Sequence, residues 1–326
     1  MLFVENDNQN PYQNHALEEW LMDHVSEDCF MLWRNEKAIL LGRNQNLYRE
    51  INLPYVTEKG IKIVRRITGG GAVFTDEGNI MFTFICRKGQ AAFMDFEQFT
   101  KPLLSVLQNM GIPAEFTGRN DLTVAGRKFS GNAQCLYKGR LLHHGTLMYQ
   151  ANIEELAQVL NVGKLKLESK GVSSVQSRVT NLSRYLSPPP EVEEFLRTLF
   201  KQMKEITPGA KYFRLSDRQW EEVRLLALEK HAAKEWIFGS NPQFDIGKET
   251  RLSGGILEVF LKVKKGRIEA VKIYGDFFGA REIEEVEQSL RGVLYEQEAI
   301  RGCLERFIEE AYFGKITLEE LVAAFL

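Results

Sequence analysis

Apolar positions along the 326-residue chain recur at two spacings, and each spacing predicts its own kind of element. Leu2–Val4 is short and continuous and reads as a strand. Leu17, Trp20, Leu21 and Val25 lie on one helical face, so a helix is expected through His15–His24 with Asn14 as its cap. Cys29–Trp33 and Ala38–Leu41 read as strands joined by Arg34-Asn35-Glu36-Lys37, and residues 61–64 as another. Asn79–Cys86 is apolar at nearly every position, which predicts a strand buried on both faces. Phe96–Asn109 returns to helical spacing through Phe99, Leu103, Leu104, Val106 and Leu107, with Pro102 in its early turns.

Further along, strands are predicted over residues 121–124, 134–137 and 141–149, the last two joined as a hairpin by Tyr137-Lys138-Gly139-Arg140. A short helix over residues 153–160 follows, with Asn152 as its cap. Residues 163–184 are rich in Lys, Ser, Arg and Gly and have no period; a loop of that length in a compact domain is mobile or functional. Ser187-Pro188-Pro189-Pro190 breaks the chain before helices over residues 192–206 and 217–231. Composition shifts after Asn241-Pro242. Beyond it come strands over residues 256–263 and 268–274 around Lys264-Lys265-Gly266-Arg267, then helices over residues 283–290, 298–308 and 318–325. These elements give an α+β class, mixed β-sheets with packed helices. A boundary is expected near residue 245, with a large unit over 1–245 and a small α+β unit over 246–326.

Composition narrows the setting. Hydrophobic content of 44% and charged content of 26% are ordinary for a globular protein. A net charge of −2 argues against a surface that coats nucleic acid. Cys29, Cys86, Cys135 and Cys303 show no C-x-x-C spacing, a pattern of reduced thiols rather than of a disulfide frame or zinc site. No apolar run approaches the ~20 residues needed to span a bilayer, and the first residues lack the layout of a signal peptide. A cytoplasmic protein without membrane or nucleic-acid partners is expected.

The stretch Arg65-Arg66-Ile67-Thr68-Gly69-Gly70-Gly71 interrupts the hydrophobic pattern. Each glycine weakens a helix or strand by up to ~1 kcal/mol relative to alanine. Three together fit a backbone that approaches a ligand closely or takes positive φ. With arginines beside them, that ligand is an anion, a carboxylate or phosphate. The competing reading is a tight turn, although a hairpin needs only two turn residues and no arginine pair. The loop is neither a Walker A motif nor a dinucleotide fingerprint, since no helical pattern follows it. Asn79 either bonds a phosphate or fixes the turn beside Asp76. In residues 118–134, Gly126 and Gly131 bracket Lys128, a compact cation for developing negative charge or a solvated surface lysine. Asp121 binds magnesium, orients a neighbour or makes a turn. His143 and His144 are adjacent on a strand and point to opposite faces, and no further His or Cys cluster nearby predicts zinc. Lys170, Ser173 and Arg178 lie in an irregular stretch that is a closing loop or an exposed linker.

Together these blocks resemble the lipoate–protein ligase family. The likeness rests on Arg-Arg-x-x-Gly-Gly-Gly-Ala-Val-Phe with Asp76 and Gly78-Asn79, on Gly118-Arg119-Asn120-Asp121, on Arg127-Lys128-x-Ser130-Gly131 and on His143-His144-Gly145-Thr146. Lys170-Gly-Val-x-Ser-Val-x-Ser-Arg178-Val-Thr-Asn181 extends it. It covers residues 1–245, and the small unit is similar to the accessory domain of the family's long form. The resemblance implies a biotin/lipoate ligase-like catalytic fold and a two-step acyl transfer. Lipoate and ATP, with Mg accompanying the ATP, give lipoyl-AMP and pyrophosphate. A lysine of a lipoyl carrier domain then attacks the mixed anhydride. The implied carriers are the lipoyl domains of 2-oxoacid dehydrogenase E2 subunits and/or the glycine cleavage H protein, and no permanently bound cofactor is implied.

By the same resemblance, Arg66, Gly71, Ala72, Val73 and Phe74 contact ATP. Asn79, Asp121, Lys170, Ser173 and Arg178 join them on the adenylate side. Lys128 is catalytic and touches both the acyl group and the α-phosphate. Lipoate meets Lys128, Arg66, Gly70, Thr75, His144 and Gly145. Leu17, Trp33 and the Val73–Phe74 region are candidates for an apolar slot. Magnesium is placed near Asp121, with no residue assigned as a metal ligand. Thr75 is a departure, because many members carry histidine there, and it bears on acyl preference. Three alternatives remain: an ATP-independent octanoyltransferase needing a nucleophilic cysteine such as Cys135, a biotin–protein ligase, and a non-catalytic binder of lipoyl-AMP.

Overall fold

A computed structural model describes residues 1–87, 92–118, 120–160, 178–238 and 245–326. In chain order the first strands are β1 (Leu2–Val4), β2 (Cys29–Trp33), β3 (Ala38–Leu41), β4 (Lys62–Arg65), β5 (Val73–Thr75) and β6 (Asn79–Cys86). They are followed by β7 (Ala114–Thr117), β8 (Asp121–Val124), β9 (Arg127–Tyr137), β10 (Arg140–Met148) and β11 (Lys211–Phe213). Eight of them form one sheet in the order β11-β1-β2-β6-β10-β9-β8-β7, and β4-β3-β5 form a second. In the large sheet β1 runs parallel to β11 and β2, while the remaining pairs are antiparallel.

Strand β6 is buried at every position because both faces of the large sheet are covered. Ile80, Phe82 and Phe84 pack with Leu103 and Leu107 of the Phe96–Asn109 helix. Met81 and Ile85 face the other way and pack with Leu17 and Leu21 of helix α1 (Pro11–His24). The sequence reading of these two layers therefore agrees with the fold.

Several boundaries differ, each for a local reason. Helix α1 starts at Pro11, and its cap is Asn10, whose side chain accepts from the Tyr12 and Gln13 amides. Proline suits the first helical position because its missing N–H would have no helical partner there. Asn14, expected as the cap, lies inside the helix and is buried. Its Nδ2 instead donates to the Asn8 and Arg34 carbonyls and to Asn35 Oδ1, fastening the β2–β3 connection. Strands β2 and β3 part into different sheets. The 217–231 helix is α-helical only through Leu226 and closes with a π-helical turn over Ala227–His231. Of residues 163–184, those described include a 3₁₀ turn at Leu182–Tyr185. The Asn241-Pro242 break falls outside the described residues.

The last 80 or so residues build a core of their own. Strands β12 (Ile246–Leu252), β13 (Gly255–Lys264) and β14 (Arg267–Gly275) form an antiparallel meander. Helices Ile283–Leu290, Gln297–Glu309 and Leu318–Phe325 cover it through Val286, Leu304 and Phe325. This unit abuts the small β4-β3-β5 sheet. The Gly275 amide donates to the Asn44 carbonyl at 2.7 Å, and Arg49 pairs with Glu258 at 2.6 Å and with Glu249. A Cβ on Gly69 would meet the Phe277 carbonyl oxygen at 2.4 Å, so the C-terminal unit rests directly on the glycine loop.

Candidate active site

The glycine loop carries the chain from β4, parallel to β3, into β5, antiparallel to it. Arg66 holds that crossing together. It is 4% exposed; Nη1 donates to the Leu40 carbonyl at 2.7 Å, and Nη2 donates to the carbonyls of Gly69 and Gly71 at 2.8 and 3.0 Å. Nε donates to Thr68 Oγ1 at 3.2 Å. Burial pushes the guanidinium down to about 10, which leaves it a cation at neutral pH. Gly70 takes φ +91° in the middle of the loop, a conformation that favours glycine. Arg65 turns away from the loop and donates to the Gly42, Gln45 and Ile237 carbonyls. The two arginines therefore do not flank one anion: Arg65 anchors the strand end, and Arg66 shapes the loop.

The opposite wall is β9. Lys128 Nζ lies 2.7 Å from Asp121 Oδ1, and both side chains are partly exposed. A Cβ on Gly131 would come within 3.1 Å of that Nζ, so glycine there leaves room for the lysine to lie across the strand. The Lys128 carbonyl accepts from the Thr180 amide at 2.9 Å, and Lys128 pairs with Val179 in a parallel bridge. Arg178 is thereby held one residue from the Lys128 backbone. Asn132, next along β9, donates through Nδ2 to the Asn120 carbonyl at 2.9 Å, and Asn120 Nδ2 returns a bond to the Asn132 carbonyl at 2.6 Å.

Between the two walls lies a pocket of about 130 Å³. Arg66, Gly70, Gly71, Ala72 and Val73 line one side, Lys128, Gly131 and Asn132 the other, and His144 and Gly145 of β10 the base. Its apolar surface comes from Leu40, Val73 and Met81. Fixed cations, a glycine-rich backbone and an apolar patch together suit a molecule with an anionic head and a hydrocarbon tail.

The other expected residues stand elsewhere. Phe74 is outside the lining and buried with Ile39 and Leu41. Thr75 is fully buried, donates to the Ala38 carbonyl at 3.4 Å and accepts from Asn35 Nδ2 at 3.5 Å. Asn79 donates to Asp76 Oδ1 at 3.3 Å, and Asp76 also accepts from the Gly78 and Asn152 amides, so Asp76 fixes the turn and the start of the Ile153–Val159 helix that Asn152 caps. Leu17 and Trp33 are wholly buried behind the pocket rather than in it, and Trp33 Nε1 donates to Thr83 Oγ1 at 2.9 Å. Lys170 and Ser173 lie outside the described residues. Leu40, Met81, Asn132 and Thr146 also line the pocket; β3 and β6 read as continuous apolar runs, and nothing in such a run marks which face meets a pocket.

His143 and His144 do point to opposite faces of β10. His143 sits between Gln134 Nε2 at 2.9 Å and Asn132 Oδ1 at 3.2 Å, and burial holds its imidazole well below the ordinary range. His144 Nδ1 lies 2.8 Å from Glu18 Oε1, and His15 Nδ1 lies 2.9 Å from Glu18 Oε2. A further histidine is thus beside His144 after all, brought there by helix α1, and the ligating atoms of His15, Glu18 and His144 lie within 4.8 Å of one another. The two cysteines on strands β9 and β2 are poor nucleophiles. Cys135 is 5% exposed, and burial pushes its thiol up to about 12; Cys29 is likewise raised, to about 11. Neither supplies thiolate near neutral pH. Among the described residues no helix is long and apolar enough to cross a membrane.

Comparison with known proteins agrees with this geometry. Residues 10–204 match the lipoyl protein ligase A/B catalytic domain, and residues 241–325 match the bacterial lipoate protein ligase C-terminus. The chain is 39% identical to lipoate-protein ligase LplJ of Bacillus subtilis (strain 168) over 327 residues, covering 99% of each. It is 38% identical to lipoate–protein ligase 1 of Staphylococcus aureus (strain Mu50), again over 99% of each. Among solved structures, P. falciparum LipL1 in complex with lipoate superposes with a TM-score of 0.81 at 25% identity, covering 99% of this chain and 98% of that one. A lipoate-protein ligase A bound with ATP shares the fold at a TM-score of 0.62 and 21% identity, over 73% of this chain and 98% of that one. The chain belongs to the lipoyl protein ligase A/B family, in the form that carries the bacterial C-terminal domain.

Proposed function

We propose that this protein is an ATP-dependent lipoate–protein ligase that activates lipoate as lipoyl-AMP and passes the lipoyl group to a lysine of a carrier domain. The observation that carries this reading is the placement of Lys128 across one pocket from the glycine loop that Arg66 holds. In the first step a lipoate carboxylate oxygen bonds to the α-phosphorus and pyrophosphate leaves. Two anions must meet, so a fixed cation between them lowers their repulsion and stabilises the charge that develops in the transition state. Lys128 is suited to that place: its partner Asp121 is partly exposed, and an exposed ion pair is weak enough to exchange for substrate oxygens. In the second step the carrier amine attacks the acyl carbonyl and AMP departs.

Several finer assignments go with this reading. The Gly71–Val73 backbone and Arg178 serve the adenylate, with Lys170 and Ser173. Asp121 is the carboxylate nearest Lys128 for the Mg that accompanies ATP. Leu40, Val73 and Met81 take the acyl chain, so Thr75 bears on acyl preference from behind the lining. Residues 1–245 form the catalytic unit and 246–326 an accessory unit. The carriers are E2 lipoyl domains and/or the glycine cleavage H protein. Cysteines scattered through the sequence without C-x-x-C spacing fit work in the cytoplasm. Incubating the protein with labelled lipoate, ATP and Mg against purified carrier domains tests the reading. ATP-dependent labelling of at least one domain is expected; labelling that is independent of ATP points to a transferase, and bound adenylate without pyrophosphate exchange to a binder.

A further inference from the structure

A buried hydrogen-bonded chain runs from helix α1 to the glycine loop, and no reacting atom lies on it. Glu18 is wholly buried. Its Oε1 accepts from Thr83 Oγ1 at 2.7 Å and faces His144 Nδ1 at 2.8 Å, while Oε2 faces His15 Nδ1 at 2.9 Å. Burial would raise this carboxyl, but the His144 imidazole and the hydrogen bonds from His144 and His15 outweigh it and hold the group below the usual carboxylate range. An ionised carboxylate only accepts, so the ring nitrogens that face it carry protons. In a neutral His144 ring, Nε2 is then left as an acceptor for the Thr68 hydroxyl, 2.8 Å away, and Thr68 Oγ1 in turn takes the Arg66 Nε–H at 3.2 Å. Arg66 holds the carbonyls of Gly69 and Gly71. The same three side chains have a spacing that a metal ion also fits, but both carboxylate oxygens are already within direct hydrogen-bond distance of their neighbours, which favours protons.

We propose that Glu18 is a positioning residue for the pocket: it sets the tautomer of His144 and, through Thr68 and Arg66, the shape of the glycine loop. Each link has one donor and one acceptor, so the order of the chain is set from its buried end. Behind a metal-ligating imidazole, loss of such an orienting carboxylate commonly costs roughly 10- to 100-fold, and a loss on that scale is expected for His144. The kinetic consequence rests on the adenylation reading above, whereas the tautomer does not.

The test combines two readouts on the full-length protein. With 15N-labelled histidine, NMR assigns the His144 tautomer, using His144→Gln to identify its signals. The neutral Nδ1–H form is expected, and either the Nε2–H form or a doubly protonated ring would overturn the proposal whatever the enzyme's activity. In lipoate-dependent pyrophosphate exchange, Glu18→Met and Thr68→Val are each expected to lower kcat/KM by roughly 10- to 100-fold. The double variant is expected to lose no more than the worse single one, because both cut the same chain; losses that multiply overturn it. Should Glu18→Met fail to fold, the Thr68 pair decides with the tautomer: Thr68→Ser, which keeps the hydroxyl, restores most of what Thr68→Val loses, and a Thr68→Val enzyme as fast as wild type overturns the proposal. Absence of exchange in the wild type itself would sink the adenylation reading while leaving the tautomer result standing.

Discussion

At the residue scale, protonation states separate groups that share a residue type. Cys135 lies on the strand that bears Lys128, yet its buried thiol, pushed up to about 12, stays protonated. Cys135→Ser is therefore expected to keep full ATP-dependent ligation when carrier labelling is measured; loss of labelling in a folded variant would revive the cysteine-dependent route. His15 gives a pH effect whose sign follows from its burial. Burial, opposed by Glu18, lowers its imidazole to about 4, against an ordinary value of about 6.5. As pH falls, the unfolded chain takes up this proton first, so the stabilisation is full above about pH 6.5 and drains away towards pH 4. The thermal midpoint should fall from pH 6.5 to 5, and His15→Gln should flatten that slope; an equally steep slope in the variant contradicts the assignment. Lys128, which the bracketing glycines alone left open as a surface lysine, lines the pocket as the family resemblance implied. The His15–Glu18–His144 cluster was not legible in the sequence, since His144 lies far along the chain from the His15–Glu18 pair and only the docking of α1 brings them together.

At the element scale, long periodic segments were legible, while short ones showed only where they were brief apolar runs, as in β1, β3, β4 and β8. Strand β6 and the Phe96–Asn109 helix follow from apolar spacing alone. Strands β5, β7 and β11 and the helices Leu47–Glu50, Leu53–Glu58 and Lys234–Phe238 are three to six residues long, too short to show a period. The glycine loop was legible as a loop but not in how it is held, because backbone carbonyls that satisfy a buried arginine leave no mark in the sequence. Gly42 shows the tightness of that packing. A Cβ there would meet the Gly70 carbonyl oxygen at 1.9 Å, and the obstruction is backbone rather than a movable side chain. Gly42→Ala should displace the loop, costing about 1–3 kcal/mol in denaturant unfolding and lowering pyrophosphate exchange by roughly tenfold or more. An alanine variant with wild-type exchange would show that the loop's position is not what the pocket depends on.

At the scale of the whole molecule, the C-terminal unit and the pocket are structurally continuous. The Phe277 carbonyl lies where a Cβ on Gly69 would stand, and the Phe278 ring packs on Phe96 and beside Gly70. The sequence showed a second unit but not where it rests. Arg49 is one clamp, and its partner Glu258 is 4% exposed. Burial already raises that carboxyl, and Arg49 opposes the rise. Arg49→Ala leaves the charge without this guanidinium and should cost about 1–3 kcal/mol at pH 7.5. The cost should shrink at pH 5, where the carboxyl protonates more readily, and a larger loss at pH 5 would contradict this role. The central claim is that lipoate and ATP react between the glycine loop and Lys128. Lipoate-dependent exchange of label between pyrophosphate and ATP tests it most directly. The wild type should sustain exchange, and Lys128→Ala, with an unchanged unfolding midpoint, should lose about 10²–10³-fold or more. Near wild-type exchange in a folded Lys128→Ala variant would contradict it.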